Sequence, residues 1–150
     1  MDQTQKLLQT IVENARMGAD ACDQLMPKTD DMALRQELMN ERQQYENACR
    51  DAEAQLMQLG AHPHPKGPMA RAGMWMGMEM NTMMDKSASH IADMLIQGCT
   101  MGVVEMTKAR NSLPDADAQA QGIASALVTA QQESIERLKA FLKQKEAVRV

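Results

Sequence analysis

Proline-bearing breaks divide this chain into helix-length pieces, and that division constrains its fold more than any other feature. Pro27 lies in "MPKTDD" (26–31), three prolines lie in "AHPHPKGP" (61–68), and Pro114 lies in "NSLPDAD" (111–117). Proline inside a helix removes a backbone donor and clashes with the preceding turn, so each cluster marks a break. The stretches between are rich in Ala, Leu, Met, Gln and Glu, and aromatic residues make up only 2% of the chain. That composition favours helix over strand. The breaks predict helices near 3–26, 30–59, 69–84, 89–111 and 114–146, with "DKSASH" (85–90) separating the third from the fourth. Thr29 or Asp30 is expected to cap the second helix, Gly60 to close it, and Pro114 to occupy the first turn of the last.

Apolar spacing supports this division. The first predicted helix has Leu8, Ile11, Val12, Ala15, Ala19, Cys22 and Met26 on one face. The second has Leu34, Leu38, Tyr45, Ala48, Ala52, Leu56 and Leu59, and the last has Ile123, Leu127, Ser134, Leu138 and Phe141. "IADMLIQGCTMGVVEM", beginning at Ile91, is apolar over much of its circumference, which predicts deep burial. Long helices joined by short turns pack antiparallel, so the pairs 3–26 with 30–59 and 89–111 with 114–146 read as two hairpins. The roughly 30 residues between the hairpins are enough to cross the length of a bundle. With 150 residues, 1–150 reads as one domain.

Charge and cysteine content narrow the function classes. The net charge is −4 with both signs interspersed, and no basic stripe is present to neutralise phosphates, so nucleic acid is not an expected partner. No run of about 18 apolar residues exists to span a membrane, so none is expected as a partner. The start, "MDQTQKLLQT", lacks the basic and apolar regions of a signal peptide. Cys22, Cys49 and Cys99 are odd in number and widely spaced, which fits reduced thiols in a cytoplasm rather than a disulfide framework. No nucleophile–base pair, phosphate loop or dinucleotide fingerprint is present.

The two halves echo one another. "ARMG" (15–18) aligns with "CTMG" (99–102), and "NERQQYE" (40–46) aligns with "AQQESIE" (130–136). With two hairpins and a long crossover, residues 5 to 142 resemble the ferritin-like or rubrerythrin-like superfamily, and are most similar to its small bacterial four-helix-bundle branch. The resemblance implies an all-α, antiparallel four-helix bundle, to which the helical stretch 69–84 adds a methionine-rich helix in the crossover. It also implies a di-iron centre, in which Gly-Glu pairs on two helices and Glu-x-x-His on the other two project ligands inward. Carried onto this chain, that ligand set is largely lost. Ala19 follows Gly18, with Asp20 one residue further round the helix, and Val103 follows Gly102; Glu41 keeps a carboxylate, but Gln44 stands for His, and Gln131 and Ser134 replace the last pair. A di-iron oxidase or peroxidase is therefore disfavoured. Glu41, Gln44, Gln131 and Ser134 read as a buried polar centre, in which Glu41 is expected to meet Gln131, Ser134 or a buried water. Residual ion binding there is the alternative.

Seven methionines crowd the stretch from Met69 to Met84. On a helix, Met69, Met76, Met80, Met83 and Met84 share one arc about 100° wide, the expected packing face, while Met74 and Met78 point away with Trp75 between. Core filling, an interface through Met74, Trp75 and Met78, and a soft-metal site through Met74, Met76, Met78 and Met80 are the three readings. Alternate residues diverge by about 200° on a helix, which argues against the metal. His62 and His64 stand in a stiff proline loop, and His90 reads as a capping or surface residue. Together these features predict a non-catalytic cytoplasmic bundle, without cofactor, that forms a homo-oligomer or binds a protein partner. A metal-handling protein, using copper or iron, is the alternative.

Overall fold

The computed structural model describes residues 2–63 and 84–143, and these form four long helices with no strand among them. They are α1 (Gln3–Leu25), α2 (Met32–Gln58), α3 (Ala88–Ser112) and α4 (Ala118–Leu138), with single 3₁₀ turns at Met26–Lys28 and Lys139–Phe141. Each α-helix opens in the same way. A short polar side chain accepts from the backbone N–H three residues on: Asp2 from Gln5 (2.7 Å), Asp31 from Leu34 (2.9 Å), Ser87 from His90 (3.2 Å) and Asp117 from Ala120 (2.8 Å). Such a cap contributes about 1 kcal/mol.

The caps explain where the predicted boundaries shift. The second helix starts at Met32 rather than 30 because Asp31 is its cap, not Thr29 or Asp30; the Thr29 hydroxyl instead accepts from Asp31 N at 3.1 Å. The last helix starts at Ala118 rather than 114. Pro114 sits in a turn, where Gln3 Oε1 accepts from Asp115 N (2.7 Å) and the Thr4 hydroxyl accepts from Asp117 N (2.9 Å). That helix ends at Leu138, in a 3₁₀ turn, rather than at 146. The first ends at Leu25, where Pro27 enforces a tighter turn, and 89–111 is observed as Ala88–Ser112. Gly60, at φ +71°, closes α2 in the left-handed conformation that glycine adopts without strain. The predicted helix 69–84 falls outside the described residues, apart from exposed Met84.

α1 packs chiefly on α2 and α3 chiefly on α4; the two hairpins meet through α1 with α3, α2 with α4, and α1 with α4. Long-range hydrogen bonds fix the directions. Gln9 Nε2 donates to the His62 carbonyl (2.7 Å), so α2 ends where α1 begins, and the Gln3 and Thr4 bonds place the α3–α4 turn at that same end. Glu37 near the start of α2 meets Arg137 near the end of α4 (2.7 Å), and Ser89 at the start of α3 accepts from Lys143 N (2.9 Å). α1 and α4 thus run one way and α2 and α3 the other. The chain between Gln58 and Ala88 joins opposite ends of the bundle.

The core is built from the predicted stripes: Leu8, Ile11, Val12 and Cys22 of α1, Leu34, Leu38, Ala52 and Leu56 of α2, and Leu127 and Leu138 of α4 are all buried. Two expectations need correction. Leu59 is 44% exposed because it lies past the end of α2. α3 is not buried around its circumference; Ile91, Leu95, Cys99, Gly102 and Met106 form one buried line, while Val104 on the far side is 44% exposed. Four helices in a square leave each with an outer face, whatever its hydropathy.

Candidate functional site

At mid-height the apolar core gives way to polar side chains. Asn14, Glu41, Gln131 and Ser134 are between 1% and 3% exposed, and Tyr45 and Cys99 are buried beside them. Two hydrogen-bonded chains run through this layer. In one, Gln131 Nε2 of α4 donates to Asn14 Oδ1 of α1 (2.9 Å), and Asn14 Nδ2 donates to the Gly102 carbonyl of α3 (3.1 Å). In the other, Cys99 Sγ of α3 donates to Glu41 Oε1 of α2 at 3.7 Å and lies 3.6 Å from the Tyr45 hydroxyl. All four helices are tied by these two chains.

The two glycines that mark the repeated registers make room for this layer. A Cβ on Gly18 would lie 2.4 Å from the Tyr45 ring, and one on Gly102 would lie 2.3 Å from Gln131 Nε2. No side chain fits at either place without moving its neighbour. Between the two chains is a narrow cavity of about 30 Å³, bordered by Asn14, Met17, Cys22, Glu41, Tyr45, Cys99 and Gln131.

Burial sets the protonation of the titratable groups here. It pushes Glu41 up to about 8, and the nearby Glu37 carboxylate adds to the rise; the Cys99 contact and the Arg137 charge oppose it. Glu41 is therefore a neutral carboxylic acid at neutral pH. Burial likewise pushes Cys99 up to about 12 and raises Cys22 further, so both are protonated thiols. The Tyr45 hydroxyl is also raised well above its ordinary range by burial and by Cys99.

The sequence placed Glu41, Gln131 and Ser134 at this level, and the structure buries all three, but it joins them differently. Glu41 meets Cys99 instead of Gln131 or Ser134. Ser134 accepts from Arg137 (3.2 Å), and Gln131 turns to Asn14. Gln44 is only half-buried, because three residues along a helix rotate it about 60° from the line of Glu41. Ala19 and Val103 are also only partly buried, and Asp20 is exposed. Asn14, Tyr45 and Cys99 were not anticipated as polar partners. Their signal was present: Asn14 continues the line of Ile11 and Gly18, and Cys99 that of Leu95, Gly102 and Met106.

A di-iron centre does not fit these residues. Among the described residues, the cavity is lined by one carboxylate and no imidazole. Among the described residues no group of three or more His, Cys, Asp or Glu side chains is placed to hold a metal ion. His62 is exposed and bonds through its carbonyl, and His90 is half-buried at the α3 cap; His64 lies outside the described residues, as do Met74, Trp75, Met76, Met78 and Met80.

Neither a protein-family model nor a curated protein sequence matches the chain. Among solved structures the chain is similar to a crystal structure of a DUF305 fragment from Deinococcus radiodurans, with a TM-score of 0.75 over 93% of this chain and 95% of that one. Sequence identity is 16%, so the likeness concerns the fold alone: an all-helical bundle. No described helix is long and apolar enough to cross a membrane.

Proposed function

We propose that this chain is a non-catalytic, cytoplasmic bundle of the ferritin-like type that acts by self-association. The observation that carries this reading is a line of methionines on the outer face of α2. Met32, Met39 and Met57 are 76%, 55% and 69% exposed. At 100° per residue they fall within about 20° of one another around the helix. At the start of α2, Met32 and Met39 join Met26 and Pro27 around an open surface hollow of about 440 Å³, edged by Asp23, Arg35 and Gln36. Methionine adapts its shape to an apposed surface, and a two-fold contact lets each copy offer the same line to the other. Burying one such side chain contributes roughly 1.5–3 kcal/mol at most. A separate protein partner is the other occupant this surface would suit. Met74, Trp75 and Met78 are candidates for the same role from the sequence.

The ferritin-like reading is supported by the long crossover joining opposite ends of the bundle and by the paired glycine registers. The non-catalytic reading is supported by Ala19, Gln44, Val103, Gln131 and Ser134 at the positions where that superfamily carries ligands. Light scattering coupled to gel filtration tests self-association. A dimer or larger species is expected, falling to the 16.6 kDa of one chain in the double variant Met32→Lys, Met39→Lys. A wild-type protein that stays monomeric at tens of micromolar would sink the proposal.

Metal handling is the second reading, favoured by Met17, Cys22 and Cys99 bordering the same cavity as Glu41. Soft copper would suit the sulfur atoms, and iron the carboxylate. Elemental analysis of protein purified without chelator decides it. Stoichiometric copper or iron that survives desalting would replace the non-metal reading with this one.

A further inference from the structure

Each of the two buried hydrogen-bonded chains ends in an oxygen with no hydrogen-bond partner among the described residues. These are Glu41 Oε2 in the α2–α3 chain and Gln131 Oε1 in the α4–α1–α3 chain. An unsatisfied buried oxygen costs about 1–3 kcal/mol, so two at one level of a core call for an explanation. Both side chains border the same cavity, whose volume of about 30 Å³ exceeds the roughly 10–15 Å³ that one water requires. We infer that this cavity is a binding site for one uncharged, hydroxyl-bearing guest of water size, water itself in the resting protein. The guest accepts from Glu41 Oε2 and donates to Gln131 Oε1, joining the carboxyl of α2 to the amide of α4.

The chemistry of the lining selects a neutral guest over a cation. The groups facing Glu41 are Cys22 from α1, Glu37 and Tyr45 from its own helix, Cys99 from α3 and Arg137 from α4. In the metal-free protein the two thiols are protonated, so a cation would have to displace a proton from each sulfur it used. Glu41 carries its proton at neutral pH, so the carboxyl offers an O–H where Gln131 offers a lone pair. A molecule that both accepts and donates satisfies the pair, whereas a bare cation finds a competing proton. Once Glu41 ionises, both ends become acceptors, and a water there must donate twice.

A crystal structure of the full chain near pH 6, at a resolution that shows ordered water, tests this. One water within hydrogen-bonding distance of both Glu41 Oε2 and Gln131 Oε1 is expected. The same crystals of Gln131→Leu, which removes the acceptor and fills space, should lose it. A dry cavity would overturn the inference, as would direct contact between Glu41 and Gln131. An anomalous signal from a metal at the site would overturn it too. If Gln131→Leu does not fold, water-to-amide magnetisation transfer to the Gln131 side-chain N–H in wild-type protein gives the same decision; its absence counts against the guest.

Discussion

The two hairpins carry the same punctuation but use it differently. Gly18 of α1 lies under the ring of Tyr45 on α2, and Gly102 of α3 lies under the amide of Gln131 on α4. In the aligned registers Glu41 matches Gln131, so Tyr45 sits one turn beyond the residue that its counterpart glycine accommodates. The first hairpin fills its central space with a rigid ring and leaves its carboxyl to find Cys99 in the other hairpin. The second fills its space with a flexible amide that reaches back to Asn14 in the first. Similar local sequence thus yields one hairpin locked by shape and another by hydrogen bonds. Each is completed by a residue of the other.

Neutralising the carboxyl should affect that comparison most. Glu41 has its folded value raised to about 8, above an ordinary 4.5. Between those values the folded chain holds a proton that the unfolded chain has released. On this group's account, stability is highest below about pH 4.5 and falls as pH rises towards 8. Glu41→Gln removes the effect, so it should stabilise the protein by roughly 2–4 kcal/mol at pH 8 and hardly at all at pH 4.5. Urea unfolding of both proteins across this range checks it; a constant difference at every pH would mean Glu41 is ionised in the fold.

Filling the glycines comes next and separates shape from hydrogen bonding. Gly18→Ala drives a methyl into a buried ring and should cost roughly 2–3 kcal/mol despite the better helix propensity of alanine. Gly102→Ala meets the end of a side chain that can swing away at the loss of one hydrogen bond, and should cost roughly 1 kcal/mol. Equal losses in thermal unfolding would erase the distinction between the hairpins. The smallest effect belongs to the ion pair between them. Arg137→Ala leaves Glu37, only 8% exposed, without its partner across α2 and α4. Arg137 itself is half in water, so the loss should be about 0.5 kcal/mol and should shrink in high salt.

Much of the fold was legible because its determinants are local. Proline placement and apolar spacing gave four helices, three of them to within two residues at each end, and Gly60 stopped α2 as expected. The last is shorter than expected by four residues at its start and eight at its end. At the start of α4 a cap competed with a proline: Asp117, tied to Thr4 more than a hundred residues away, holds that start beyond Pro114. The candidate site was legible only in part. Glu41, Gln131 and Ser134 stood out as polar residues on apolar lines, but Gln44 was set too deep, and Asn14 and Cys99 passed as ordinary members of their stripes.

Sequence alone determined which faces of α1, α2 and α4 turn inward, because periodicity and capping depend on residues three or four apart. It also determined that one carboxylate and no imidazole stand at the mapped ligand positions. Only the tertiary structure decided which inward groups meet. A partner such as Cys99 for Glu41, 58 residues distant, depends on how far the helices slide along one another, and helical periodicity does not specify that offset. A slide of one turn, about 5 Å, would pair different side chains while burying the same stripes.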